Sequence, residues 1–223
     1  MFINILIPIH NNAFELLENC LNSVFSQTFN DYSIIITDQN DNDFMYEKIL
    51  SLNNPKIKYY KSSLKGWSNN HNNGLKYCDG DLIKILHYDN YFYHNNALQE
   101  IHDCFLNNDI YWLVSSYYHL KNNIICDLHN PKYHELIHLG HNLIGDPTCL
   151  TFKNNNILFF DENLTFYVDC DYYKRLFDIY GLPFVLTNPT FVCRIHDLQT
   201  TNICTEESNN IEYNYIMKKY KKN

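Results

Sequence analysis

Four short apolar runs, each parted from the next by a stretch with helical spacing, restrict the first half of this chain to one kind of architecture. Residues 2–8, 33–37, 57–61 and 82–86 are rich in β-branched or aromatic side chains and too short for helices. Between the first two, Phe14, Leu17, Leu21, Val24 and Phe25 recur on one helical face, with Glu15, Glu18 and Asn22 on the other. Met45 and Ile49 mark a second helix and residues 70–78 a third, with Asn11-Asn12 and Asp43 as expected caps. Strands alternating with helices imply right-handed βαβ units, hence an α/β fold with a mostly parallel sheet covered on both faces.

From Ile110 the pattern loosens. Residues 110–118 form an aromatic strand candidate, 124–128 a partner for it, 170–180 a helix and 191–195 a last strand. The tail from Glu206 has weak helical periodicity and closes on Lys218-Lys219-Tyr220-Lys221-Lys222, which reads as a solvated, frayed terminus. No linker, repeat or low-complexity break interrupts 1–223, so a single domain is expected; its 223 residues suffice for a full core.

A net charge of -8 with only two arginines, Arg175 and Arg194, argues against a nucleic-acid binder. The eight cysteines include no C-x-x-C pair, and residues 2–9 are too few to span a bilayer. Reduced thiols in a soluble, cytoplasmic protein are the expectation. The C-x-x-H pairs Cys126/His129 and Cys193/His196 raise a zinc reading, but such spacings arise readily in a chain this rich in His and Cys.

The chemistry concentrates after the fourth run. Residues 82–86 deliver His87, Asp89 and Asn90 to the carboxyl end of a strand, where ligands sit in open α/β sheets. An imidazole and a carboxylate two residues apart can hold a divalent cation, which in turn can hold a diphosphate.

Several separated blocks, in order across roughly residues 3–200, resemble family-two glycosyltransferases, the nucleotide-sugar enzymes with a GT-A fold. Ile7-Pro8-Ile9-His10-Asn11 looks like the family's first strand end, and Ile35-Ile36-Thr37-Asp38-Gln39 resembles its second, with Gln39 in place of a second aspartate. Asn70-His71-Asn72-Asn73-Gly74 is similar to a segment that usually carries arginine where His71 stands. His87-Tyr88-Asp89-Asn90 resembles the Asp-x-Asp metal motif, with His87 for the first acid and Asn90 for a third. Asn142 to Thr148 looks like the loop that closes over the sugar. Val168-Asp169 resembles a Glu-Asp pair whose aspartate is the general base, and Arg194-Ile195-His196 a late Arg-x-His.

The resemblance implies an inverting transferase that moves a sugar from a nucleoside-diphosphate sugar, a UDP-sugar first, to a glycan or lipid-linked hydroxyl. Residues 1–92 would bind the donor, 93–205 would form a smaller acceptor-side portion, and weak membrane contact by the tail is conceivable. It assigns Pro8, His10, Asn11, Asp38, Gln39, His71, Asn72 and Tyr88 to the nucleotide. Asp89, His87 and His196 go to Mn2+ or Mg2+, Asp169 to catalysis, and Asn90, Arg194, Gly145 and Asp146 to the diphosphate or acceptor. Two other classes stay open: a silent nucleotide- or glycan-binding relative, motivated by the departures at Gln39, His71, His87, Asn90 and Val168, and a nucleotidyltransferase. The latter calls for a basic, Gly-rich phosphate loop that residues 9–12 lack.

Overall fold

The computed structural model describes residues 1–196 and 205–221, so Lys222 at the end of the basic tail lies outside the described residues. The elements run β1 (Ile3–Ile9), α1 (Phe14–Phe25), β2 (Tyr32–Asp38), α2 (Phe44–Ser51), β3 (Ile57–Lys61), α3 (Trp67–Leu75), β4 (Leu82–Ile85) and β5 (Tyr91–Phe92). There follow α4 (Ala97–Asn107), β6 (Trp112–Lys121), β7 (Ile124–His129), β8 (Leu150–Lys153), α5 (Val168–Tyr180), β9 (Phe184–Arg194) and α6 (Glu206–Tyr220). The strands form one sheet in the order β3-β2-β1-β4-β8-β6-β9-β5, with β7 paired to β6. The amino-terminal half is parallel, as the alternation predicts. Beyond β4 the sheet is mixed, β8 running antiparallel to both β4 and β6 and β9 parallel to β6.

β1 is buried along its whole length and paired on both sides, which is why it reads as an unbroken apolar run. Ile3, Ile5, Ile7 and Ile9 point to one face and pack with α1, α2 and α4. Leu6 points to the other, with Leu75 of α3, Leu176 of α5 and Ile216 of α6 in the same cluster. Helix α3 lies so close that a Cβ on Gly74 would sit 2.2 Å from Leu6 Cδ1, so only glycine permits that approach.

Several expectations are corrected. Neither Asn12 nor Asp43 caps a helix through its side chain. Asn11 Oδ1 accepts from the Ala13 N–H in a tight turn before α1, and Asp43 pairs with Lys61 instead. β9 begins at Phe184, well before the expected start at Phe191, because Pro189 disguises it. The β6/β9 register skips between Leu186 opposite Ser115 and Phe191 opposite Tyr117, and the proline sits in that interruption.

The tail is the largest surprise. α6 buries Ile216, and its Lys219 ammonium lies 2.6 Å from Asp161 and 2.7 Å from Asp171. The Tyr220 hydroxyl donates to Asp171, which is wholly buried and also takes Arg175 Nε at 2.8 Å. The basic end is therefore an anchor for the carboxyl-terminal half, with the buried Asp171 beneath it.

Lys219→Met should accordingly cost about 1–3 kcal/mol, between the worth of exposed and of fully buried ion pairs. For a chain of this size that lowers the melting temperature by about 2–4 °C per kcal/mol. A calorimetric midpoint unchanged from wild type would contradict the anchor.

Candidate active site

A cleft of about 860 Å³ opens at the carboxyl ends of β1 and β4, where a parallel sheet leaves its loops free to hold ligands. β1 carries Pro8 near its end and leads to His10, β2 leads to Gln39, and β4 leads to His87, Tyr88 and Asp89, all of which line the cleft. Across from them stand Gly145 and Asp146, Asp169 at the start of α5, and His196 just past β9. Pro8 and His196, far apart in the sequence, thus share one cavity.

The turn through Asp146 and Thr148 is locked to β4. Lys84, buried in the centre of the strand, donates its ammonium to the Thr148 carbonyl. The Thr148 hydroxyl accepts from the His87 N–H at 3.2 Å and from Asn90 Nδ2 at 2.9 Å, while Asp146 caps the turn by accepting from Thr148 N at 2.7 Å. Gly145 has φ +93°, and a Cβ there would meet the Tyr117 hydroxyl at 2.1 Å, so glycine is required on both counts.

Two carboxyls in the cleft are driven apart. Burial pushes Asp169 up to about 6, although it accepts from Cys170 N and from Asn142 Nδ2, each at 2.8 Å. Burial acts on Asp146 as well, but the His87 ring and the Thr148 N–H outweigh it and hold the group at about 2. Asp169 is thus a usable base, whereas Asp146 is a permanent anion.

The histidines divide in the same way. His71 Nδ1 is 2.8 Å from the Trp67 carbonyl, which can only accept, so that nitrogen carries the proton. Burial, and then the charge on His87, holds His71 well below its ordinary value, so it is neutral and its Nε2 accepts. The donor at 3.2 Å is His87 Nε2, and His87 Nδ1 faces Asp146 at 3.4 Å. Burial opposes charge on His87, but Asp146, then Asp89 and Asp169, outweigh it and raise the ring above its ordinary value. His10, at the cleft's outer edge, is lowered by burial.

As a metal site the arrangement fits in part. Asp89 Oδ2 and His196 Nε2 lie 2.9 Å apart and supply an oxygen and a nitrogen donor of the kind Mn2+ accepts. His87 is turned to other partners, with Nε2 3.2 Å from His71 Nε2 and Nδ1 3.4 Å from Asp146. Among the described residues no three His, Cys, Asp or Glu side chains converge on a common point.

Other expected residues stand behind the cleft wall. Asp38 is wholly buried, accepting from the Tyr59 hydroxyl at 2.6 Å and from Asn40 N at 2.7 Å, with Lys61 at 3.5 Å. Asn72 exchanges two hydrogen bonds with the Phe160 backbone, at 2.9 and 2.7 Å. Asn11 donates to the Tyr88 hydroxyl at 2.6 Å. Asn90 bonds Thr148, Asp146 and the Arg194 N–H, and Arg194 Nε donates to the Asp89 carbonyl at 3.2 Å. Each of these places a cleft residue or its loop. Residues to which the sequence assigns no individual site role also line the cavity. Trp67 stacks on His71 with centroids 3.5 Å apart, Asn142 holds Asp169, and Asn209 reaches in from α6. Trp67 and Asn142 fall inside or beside the blocks noted in the sequence, but nothing there announces their contacts, and Asn209 has no local signal.

The model for the family described as Glycosyl transferase family 2 matches residues 4–152. Over 211 residues, 92% of this chain and 80% of the other, the protein is 25% identical to the Escherichia coli UDP-Glc:alpha-D-GlcNAc-diphosphoundecaprenol beta-1,3-glucosyltransferase WfgD. It is 26% identical to an uncharacterized glycosyltransferase, RT0329, of Rickettsia typhi, over 90% of this chain and 66% of that one. Its fold matches S. aureus TarS in complex with UDP at TM-score 0.71 and 14% identity, over 88% of this chain and 61% of TarS. A mannosyltransferase of Pyrobaculum calidifontis, PcManGT, solved with GDP-Man and Mn2+, matches at TM-score 0.62 and 13% identity, over 86% of this chain and 56% of that one.

The cleft electrostatics are open to direct measurement. Asp146→Asn removes the charge that holds His87 up, so the His87 ring signal followed by NMR should titrate at lower pH than in wild type. An unmoved midpoint would mean that Asp146 and His87 are not an ion pair in solution.

Proposed function

We propose, from the premise that this chain belongs to glycosyltransferase family 2 and is a glycosyltransferase, that its cleft moves a sugar from a UDP-sugar to a hydroxyl acceptor with inversion. The observation that carries this reading is Asp169, a buried carboxyl raised to about 6, facing Asp89 and His196 across one cavity. The likeness to the E. coli glucosyltransferase makes UDP-glucose the first donor and a polyprenyl-diphosphate-linked sugar the first acceptor to test. Among the described residues no helix is long and apolar enough to cross a membrane, so a lipid-linked acceptor would be met at the membrane surface.

The donor's diphosphate would lie toward the ends of β4 and β9, its base toward Pro8, His10 and Gln39. Asp89 and His196 would hold a divalent ion, which when bound would supply Lewis-acid stabilisation of the departing diphosphate. His87, whose protonation Asp146 favours, would place positive charge at the same end of the cleft when protonated. Asp169 would take the proton from the acceptor hydroxyl as oxygen attacks the anomeric carbon from the opposite face. Displacement in one step needs a single base and no covalent intermediate. A pKa near 6 suits proton removal, since the group is ionised at neutral pH yet more basic than an ordinary carboxylate. Asn142 would fix its orientation.

Transfer should therefore fall as pH drops through about 6, because only the ionised carboxylate accepts a proton. Asp169→Asn should lower the rate by about 10²–10⁴-fold and abolish that acid limb, with UDP affinity close to wild type. Full turnover in this variant, or an unchanged pH profile, removes the assignment. UDP binding by the wild type without turnover of any sugar donor would instead establish the silent relative.

Asp89→Asn should fail differently, weakening UDP binding along with turnover. Calorimetry with UDP in the presence and absence of Mn2+ tests this. Manganese should serve at least as well as magnesium, since an imidazole donor disfavours the harder ion. Affinity that chelation leaves unchanged would show that the Asp89–His196 pair holds no metal.

A further inference from the structure

The segment between Phe160 and α5 has no strand or helix of its own, yet Thr165, Phe166 and Tyr167 form part of the cleft wall and lead directly into Asp169. Its backbone donors must find partners, and α5 begins without a side-chain capping bond from Tyr167, which occupies the N-cap position. The partner comes from 45 residues farther along the chain. Glu212, buried on α6, accepts from Thr165 N at 2.9 Å through Oε1, and from Phe166 N at 2.9 Å and Tyr167 N at 3.1 Å through Oε2.

Hydrogen bonds from three consecutive N–H groups to one carboxylate are stronger than neutral ones, and a negative charge just before the first turn of α5 complements the helix dipole. One turn earlier on α6, Asn209 reaches the cleft. At the other end of the helix, Lys219 and Tyr220 are tied to Asp161 and Asp171. The helix is thus held to the segment that carries the wall at its middle, through Glu212, and at its carboxyl end. Glu212 acts on Asp169 through the backbone between them. The environment of Asp169 depends on where residues 165–168 run, since burial is what sets its basicity.

We propose that Glu212 is a positioning residue of the active site, a cap supplied by the carboxyl-terminal helix that fixes the 165–167 wall and orients Asp169. It rests on the reading of Asp169 as base, but its effect on the backbone does not. The carboxyl-terminal helix is then part of the reaction centre and not an appendage to it.

The test compares wild type, Glu212→Ala and Glu212→Gln by amide hydrogen exchange, Asp169 titration by NMR, and steady-state transfer. Gln keeps the shape and one acceptor oxygen but presents an NH2 group to an N–H. Exchange at residues 165–168 should rise about tenfold or more in both variants, while β1 and β2 stay protected as in wild type. The Asp169 midpoint should move away from about 6, more in Ala than in Gln. With UDP-glucose, kcat should fall about tenfold in Gln and further in Ala, with KM for the donor within about threefold of wild type.

Unchanged exchange and an unchanged Asp169 midpoint in a folded variant overturn the proposal. So does loss of protection across β1 and β2 in both variants, since that assigns Glu212 to the whole fold. If no UDP-sugar is turned over by the wild type, the exchange and titration results still decide the point, so failure of the transferase reading and failure of the clamp are told apart.

Discussion

A buried lysine on a central strand is the constraint around which the cleft is organised. Lys84 lies between Ile83 and Ile85, and all three are without solvent exposure. Burial lowers the ammonium to about 8, with Cys149 and Asp146 acting the other way. A desolvated cation needs an acceptor, and the Thr148 carbonyl supplies one. Satisfying it draws the 146–148 turn against the end of β4, and everything at that end follows. Thr148 meets His87 and Asn90, Asp146 meets His87, and Asn90 meets the strand that leads to His196. Replacing Lys84 by an aliphatic residue would suit the sheet and release the turn.

The opposite wall obeys a different rule. Residues 160–167 cross the sheet's carboxyl edge with no ladder to satisfy their backbone, so side chains do it. Asn72 and Ser68 of α3 bond the backbone at Phe160 and Leu164, and Glu212 of α6 takes the three N–H groups that follow. An irregular segment held this way from two helices is as determined as a strand, because each bond it loses leaves a buried polar group unpaired. The segment in turn fixes where α5 begins, and with it the burial of Asp169 in the first turn of that helix.

The parallel half was legible in the sequence because buried parallel strands are continuous apolar runs. So were the ends of those strands, which deliver His87 and Asp89, while Asp146, Asp169 and His196 come from later, separated blocks and line the same cavity. What stayed hidden was everything set by long-range hydrogen bonds. Nothing local distinguishes Asp171, buried and bonded to Arg175, Lys219 and Tyr220, from a solvated residue at a helix start. Nor does the strand end announce that Asp38 is packed between Tyr59, Lys61 and the Asn40 amide. The tail reads as frayed because its periodicity is weak. Its stability comes from two carboxylates contributed by other segments, which no helical pattern can encode. Pro189 concealed half of β9, since a proline inside a strand is tolerable only where the register already breaks.

The departures from the family pattern fit one another. Were His71 arginine, as the resemblance leads one to expect, its charge would oppose a protonated His87 beside it. With His71 neutral and accepting, His87 can donate to it while Asp146 favours its protonated form. A carboxylate at position 87 would instead place a second anion next to Asp146 and need a bound cation to compensate. The His71–His87–Asp146 chain is thus one hydrogen-bonded and ion-paired unit, while Asp89 pairs with His196 at 2.9 Å. Val168 follows the same logic on the far wall. Standing where an acid precedes the base in similar chains, it puts an apolar, buried neighbour beside Asp169. Burial, with the Asp146 charge acting in the same direction, raises that carboxyl to about 6.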